Sequence, residues 1–161
     1  MTDILTADLH DAHSDKLQMC SLPMNSYGRR QAFSGPVRTL ATMEDTKLAQ
    51  ELFRQPGDGA VIVLDGGGST RTAMLGDVNA EILKENGWIG IVINGVVRDS
   101  VALGKVDIGI KALGVTPVRS AKTGKGAIDI PVAFGNILFE PGQYIYCDED
   151  GILISAERLP E

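Results

Sequence analysis

Arg98 and Asp99 stand side by side where an apolar run ends, in the stretch WIGIVINGVVRDS over residues 88–100. A buried strand does not need a guanidinium and a carboxylate at its exit. An arginine fork binds a carboxylate bidentately. An aspartate among oxygens and waters suits Mg²⁺ or Mn²⁺, hard cations that keep several waters and need few protein ligands. The plain structural alternative is that Asp99 caps the following turn, SVAL, while Arg98 lies in solvent.

A second candidate lies upstream. VIVLDGGGSTRTAMLGDVNAEIL, residues 61–83, reads as a strand, a glycine loop and a helix. Glycines let backbone amides approach an anion, and a helix N-terminus adds orphan donors and a positive dipole end. The string matches neither G-x-x-x-x-G-K-[ST] nor G-x-G-x-x-G. The loop therefore reads as a phosphate cradle, a small-carboxylate site, or a turn that only carries the chain over a sheet. Asp77, in the first turn of the helix, is also accounted for by the dipole alone, an effect worth up to about 1 kcal/mol.

The elements that must position these residues follow from periodicity. GPVRTLAT (35–42) alternates as a strand. Thr42 reads as the N-cap of a helix over EDTKLAQELFR (44–54), with Leu48, Ala49, Leu52 and Phe53 on one face and Pro56-Gly57 ending it. AVIVLD (60–65) and IGIVIN (89–94) are buried strands. Between them a helix over 76–86 turns Val78, Ile82 and Leu83 inward and ends at Gly87. DSVALG is one helical turn. DIGIKAL, VTPVR, VAFGNILF, QYIYCD and GILIS read as later strands. The first half is β-α-β-α-β and the second mostly β, which predicts an α/β fold with a mixed sheet arranged in layers. If the strands at 60–65 and 89–94 are parallel neighbours, their loops leave one edge, where ligand sites gather. Gly76 and Asp77 would then meet Arg98 and Asp99.

The chain's 161 residues fit one domain, with an irregular or helical lead-in over 1–34 and a core over 35–155. No apolar run approaches the roughly 20 residues that span a bilayer. The start, MTDILTADLHDAHSDK, has neither the basic flank nor the apolar centre of a secretion signal, so no membrane contact and a cytoplasmic location are expected. A net charge of −6 lacks the footprint of a direct nucleic-acid binder, so an anionic substrate must be met by local cations or amides. Cys20 and Cys147 match no metal spacing and read as free buried thiols. His10 and His13, at i and i+3, could face one metal but form a weak set by themselves. Lys84, Lys105, Lys111, Lys122 and Lys125 read as solvated surface.

The stretch VLDGGGSTRTAMLGDVNAEILKENGWIGIVINGVVRDS resembles the RraA-like family, which includes the regulator of RNase E activity A and class II pyruvate aldolases acting on 4-hydroxy-4-methyl-2-oxoglutarate. The resemblance runs from Tyr27 to Ser155 and is densest between Leu64 and Asp107. The family's enzymes carry an aspartate, twenty intervening residues, then Arg-Asp; here these are Asp77, residues 78–97, Arg98 and Asp99. The regulator branch can lack the second aspartate, and this chain keeps it.

The resemblance implies a layered β/β/α swivelling fold of the phosphohistidine-domain type with mixed sheets, assembled as a homotrimer. It implies Mg²⁺ or Mn²⁺ ligated by Asp99, with Asp77 acting through water. Substrate would be bound by Arg98 and by the backbone at Gly76, Asp77 and Val78. The implied chemistry is cleavage of a 2-oxo acid through a metal-stabilised pyruvate enolate, by aldol cleavage or by oxaloacetate decarboxylation, which needs no base. In longer aldolases of the family a neighbouring subunit adds an acidic residue near the C-terminus. Glu140, Glu149, Asp150 and Glu157 are the acidic candidates here, with that role assigned to none. A Schiff-base lysine is the mechanistic rival, and a non-catalytic regulator that binds and inhibits RNase E is the functional one.

Overall fold

The computed structural model describes residues 5–160. After helix α1 (Thr6–His13) come two short strands, β1 (Gln18–Met19) and β2 (Asn25–Ser26). The central alternation is β3 (Phe33–Ala41), α2 (Lys47–Phe53), β4 (Val61–Asp65), α3 (Asp77–Glu85), β5 (Gly90–Val97), α4 (Ser100–Leu103) and β6 (Gly109–Val115). Strands β7 (Ala127–Ile128), β8 (Val132–Phe134), β9 (Ile137–Phe139), β10 (Tyr144–Cys147) and β11 (Ile152–Ser155) complete the chain.

The main sheet runs β1-β11-β10-β3-β4-β5-β6-β2, with β7 beside β3 and the β8-β9 hairpin separate. Strands β3 to β6 are parallel and the outer pairings antiparallel, so the sheet is mixed as expected. Alternation along the parallel strands sorts two cores. Ile62, Leu64, Ile91, Ile93, Ile110 and Ala112 pack with Leu52 and Phe53 of α2 and Ala80 and Leu83 of α3. The opposite positions, Val61, Val63 and Val92, pack against Ile145, Cys147, Ile152 and Ile154 and the hairpin's Phe134 and Phe139. The sheet thus turns back over itself beyond β3, giving two β layers and one helical layer. Coverage on both faces is why these strands read as unbroken apolar runs. Gly90 and Gly109 are register partners beneath the Phe33 ring. A Cβ would fall 2.5 Å from that ring at Gly90 and 2.1 Å at Gly109, so the ring seats only on glycine.

Several local expectations are corrected. Helix α2 begins at Lys47, with Thr46 in the cap position. Thr42 instead donates its hydroxyl to Asp45 O (3.1 Å) or Lys125 O (2.8 Å), and the positive φ of Glu44 (55°) keeps the preceding residues out of the helix. Val78 is 68% exposed because Ala80 and Leu83 define the inward face of α3 and Val78 lies on the far side. VTPVR is no ladder strand: β6 ends at Val115, Pro117 has no N–H to give, and only an isolated bridge joins Arg119 to Ala73. Lys111 is 2% exposed rather than solvated, because β6 is covered on both faces. Strand β5 runs on to Val97, so Arg98 follows it directly. Cys20 and Cys147 are free and buried, as expected.

Candidate active site

Strands β4, β5 and β6 are parallel neighbours, so the loops after them leave one edge together. Residues 73–75 run between the other two loops. The Ala73 amide donates to Val118 O (2.7 Å), the Met74 amide to Val96 O (2.8 Å), and Leu75 O accepts the Arg98 amide (2.9 Å). The far end of the glycine loop is thereby tied to the exit of β5 and to the segment after β6. Asp77, Arg98 and Asp99 meet as a result.

Asp99 has left-handed backbone angles (φ 58°, ψ 41°) at the head of α4, yet its side chain makes no cap bond there. Its Oδ2 accepts the Asp77 amide at 3.3 Å and lies 3.6 Å from Arg98 Nε. The capping explanation therefore fails, since the carboxylate serves the N-terminus of a different helix. A non-glycine residue held left-handed costs about 1–3 kcal/mol, and such positions gather at functional sites. Gly76 makes room for the arrangement: a Cβ there would sit 2.7 Å from Asp99 Oδ2. Asp77 Oδ1 accepts the Val78 amide (2.9 Å). The side chains of Arg98 and Asp99 are 37% and 36% exposed, within reach of a small solute.

These residues line a cavity of ≈ 180 Å³. That is smaller than the roughly 300–1,000 Å³ of drug-sized ligand pockets, so it suits a small metabolite. Gly76, Asp77, Val78, Arg98 and Asp99 all contribute. So do Thr46, Gln50, Arg119, Ser120 and Lys122, which sequence reasoning did not assign to a site. The available signal was the parallel strand β6, whose following loop must emerge on the same edge. Three cations, Arg98, Arg119 and Lys122, face two carboxylates, giving an anion-binding balance in a chain of negative net charge.

Asp45 anchors this third loop. It is 1% exposed and accepts the amides of Lys47 (3.1 Å), Thr123 (2.8 Å) and Gly124 (3.1 Å) and the Thr123 hydroxyl. Burial works against its ionisation, but these donors, led by the Thr123 hydroxyl, outweigh burial and hold its carboxyl well below the ordinary 3.8. A depressed carboxyl contributes stability above its unfolded pKa and loses it as pH falls toward the folded one. Asp45→Asn is therefore expected to lower unfolding stability by about 2–4 kcal/mol at pH 7. Its deficit should shrink below about pH 4 in denaturant titrations. A deficit independent of pH would show that the charge contributes nothing.

The glycine loop is a turn rather than a cradle. Gly66 and Gly68 donate their amides to Asn94 O (3.0 and 3.1 Å), and Gly67 donates to Asp65 Oδ1 (2.9 Å). At the start of α3 the Asp77 amide donates to Asp99 Oδ2 (3.3 Å) and the Val78 amide to Asp77 Oδ1 (2.9 Å), so the anions at that N-terminus are the protein's own carboxylates. For a cation, the donor set is two carboxylates, Asp77 and Asp99, at the cavity. Among the described residues no three His, Cys, Asp or Glu side chains cluster as metal ligands. His10 and His13 therefore gain no third ligand among the described residues. One or two carboxylates completed by water and substrate oxygens fit Mg²⁺ or Mn²⁺ and do not fit a structural zinc site. Glu140, Glu149, Asp150 and Glu157 lie outside this cavity in their own chain.

Fold and site define a layered α/β protein with a small cavity, lined by three cations and two carboxylates, at the carboxyl edge of parallel strands. The chain belongs to the RraA-like family (Aldolase/RraA), whose model matches residues 6–154. It is 43% identical to a Laribacter hongkongensis (strain HLHK9) protein named "Putative 4-hydroxy-4-methyl-2-oxoglutarate aldolase", over 98% of this chain and 99% of that one. The RNA-processing inhibitor RraA from Thermus thermophilis superposes with a TM-score of 0.94 at 40% identity, covering 99% of this chain and 96% of that chain. A Geobacillus kaustophilus HTA426 structure described as an S-adenosylmethionine:2-dimethylmenaquinone methyltransferase superposes with a TM-score of 0.95 at 45% identity, covering 97% of each chain. No helix among the described residues is long and apolar enough to cross a membrane.

Proposed function

We propose that this chain is a divalent-metal-dependent carbon–carbon lyase, a class II pyruvate aldolase of the 4-hydroxy-4-methyl-2-oxoglutarate type that also decarboxylates oxaloacetate. The observation that carries this reading is Asp99, held left-handed with its carboxylate turned from its own helix toward Gly76, Asp77 and Arg98. The aldolase-named relative adds support over nearly the full chain. A methyltransferase reading is disfavoured because the glycine-loop amides that would meet a nucleotide-like cofactor are taken up by Asn94 O of β5 and by Asp65 Oδ1.

Arg98 carries no protein hydrogen bond on its terminal guanidinium nitrogens among the described residues, leaving that fork for the substrate's 2-oxo carboxylate. The backbone at Gly76, Asp77 and Val78 lies beside the same group at the positive end of α3, where the long 3.3 Å bond from the Asp77 amide to Asp99 would yield to a substrate carboxylate. Arg119 and Lys122 suit the second carboxylate of a dicarboxylic oxo acid. A Mg²⁺ or Mn²⁺ ion held by Asp99, with Asp77 reaching it through water, would supply the Lewis acidity that takes up charge on the keto oxygen. In oxaloacetate the bond to the distal carboxylate breaks, CO₂ leaves, and the electron pair passes to the keto group before C3 takes a proton. Aldol cleavage yields the same enolate once the 4-hydroxyl loses its proton to water.

The measurement is oxaloacetate decarboxylation followed with EDTA and then with added Mg²⁺. EDTA is expected to abolish turnover above the spontaneous rate, and Mg²⁺ to restore it. Turnover that survives EDTA and is trapped by borohydride would transfer the reading to a Schiff-base lysine.

Four apolar residues near the site are exposed: Val78 (68%), Val101 (79%), Val115 (54%) and Val118 (52%). Such a rim suits cover by a neighbouring subunit, as in the homotrimer with an added acidic side chain that the family resemblance implies. The same surface, with the likeness to the Thermus inhibitor, favours a second reading: docking on RNase E without chemistry. A pull-down with RNase E, repeated with an Asp99 variant, separates docking from catalysis.

A further inference from the structure

The geometry points to a second ligand site, a monocarboxylate pocket on the opposite layer of the molecule with Lys111 at its floor. Lys111 lies on β6 between Ile110 and Ala112, which face the helical layer, so its own side chain enters the layer between the two β sheets. Its register partner there is Val92, and it is 2% exposed. Among the described residues no carboxylate lies within ion-pair distance of its ammonium, and no hydrogen bond reaches it. No side-chain nitrogen is fully enclosed without a partner, so the ammonium keeps its remaining opening toward the pocket it lines. The ionisable group that its charge acts on in this layer is the buried Cys147 thiol, which is no counter-ion; burying a lone ammonium is costly, so an anion entering the pocket would find an unpaired cation to meet.

The walls define that anion. The pocket measures ≈ 320 Å³ and is walled by Met19, Leu22, Met24 and Ile152, with Glu149 and Asp150 also lining it. Both acids are exposed while Lys111 is buried, so they stand at the mouth and the cation stands at depth. An apolar body with one terminal carboxylate fits this order of groups. A second carboxylate would meet Glu149 and Asp150 and be repelled. The selectivity is therefore opposite to that of the Arg98 cavity, where three cations suit a dicarboxylate. The pocket's occupancy does not depend on the lyase reading.

Sodium butyrate and sodium succinate, titrated by calorimetry at constant ionic strength, test the assignment. Butyrate is expected to bind wild type and Arg98→Ala alike, at least about tenfold more weakly to Lys111→Gln, and succinate is expected not to compete. Equal butyrate affinity in Lys111→Gln, loss of binding in Arg98→Ala, competition by succinate, or no binding to wild type would each overturn it. Should Lys111→Gln not fold, a wild-type crystal soaked in 4-bromobutyrate decides. A bromine peak in the pocket with the carboxylate on Lys111 supports the site, and water alone at the ammonium removes it.

Discussion

Asp99→Asn is expected to lower metal-dependent oxaloacetate decarboxylation by about 10²–10³-fold while leaving the melting temperature close to that of wild type. Asparagine keeps an oxygen that can accept the Asp77 amide, so the loop retains its shape. It removes the charge a hard cation needs. Little folding stability rests on that charge: the bond to Asp77 is long at 3.3 Å, the separation from Arg98 Nε is 3.6 Å, and over a third of each side chain is in solvent. Activity and stability should therefore separate, and chemical denaturation beside the kinetic assay checks this directly. Full metal-dependent turnover in Asp99→Asn would remove Asp99 as a ligand. Equal losses of activity and stability would make it a structural residue.

The convergence of Asp77, Arg98 and Asp99 was legible because strand adjacency follows from β-branched runs and short helical connections, and adjacency fixes where loops emerge. AVIVLD and IGIVIN have no polar face, which fits only strands covered on both sides. The order of elements pointed to layers, the family resemblance implied their β/β/α arrangement, and the shared edge followed on condition that the two strands are parallel neighbours, as they are. The errors share one physical cause: periodicity gives a residue's direction but not what lies in that direction. Val78 looked inward because it is apolar, yet α3 turns Ala80 and Leu83, with Ile82 partly buried beside them, toward the core and leaves Val78 outside. Lys111 looked outward because it is charged, yet the position opposite Ile110 and Ala112 faces a second β layer formed by strands more than thirty residues later. Lys122 and Arg119 were missed for a related reason. VTPVR resembles a strand, but Pro117 and the bonds of Asp45 to Thr123 and Gly124 hold the segment as a loop over the cavity. Such long-range anchoring leaves no local pattern.

Gly76→Ala tests that convergence from the other side, and its expected result is a fall in kcat/KM of about 10²-fold with little change in stability. Gly76 has φ −130° and ψ −175°, extended angles that alanine adopts freely, so the backbone carries no penalty. The added Cβ would lie 2.7 Å from Asp99 Oδ2 and 3.4 Å from Arg98 Cγ. It has no room unless the carboxylate turns away, and both side chains are exposed enough to do so cheaply. The cost thus falls on the geometry of the site rather than on the core. Combining the two substitutions sharpens the test, because residues acting as one unit are not additive. If Gly76→Ala acts by displacing the Asp99 carboxylate, the double variant should be no slower than Asp99→Asn alone. Multiplied losses would mean that Gly76 serves the substrate directly through its backbone. Undiminished activity in Gly76→Ala would mean that the carboxylate does not work from the position it occupies against α3.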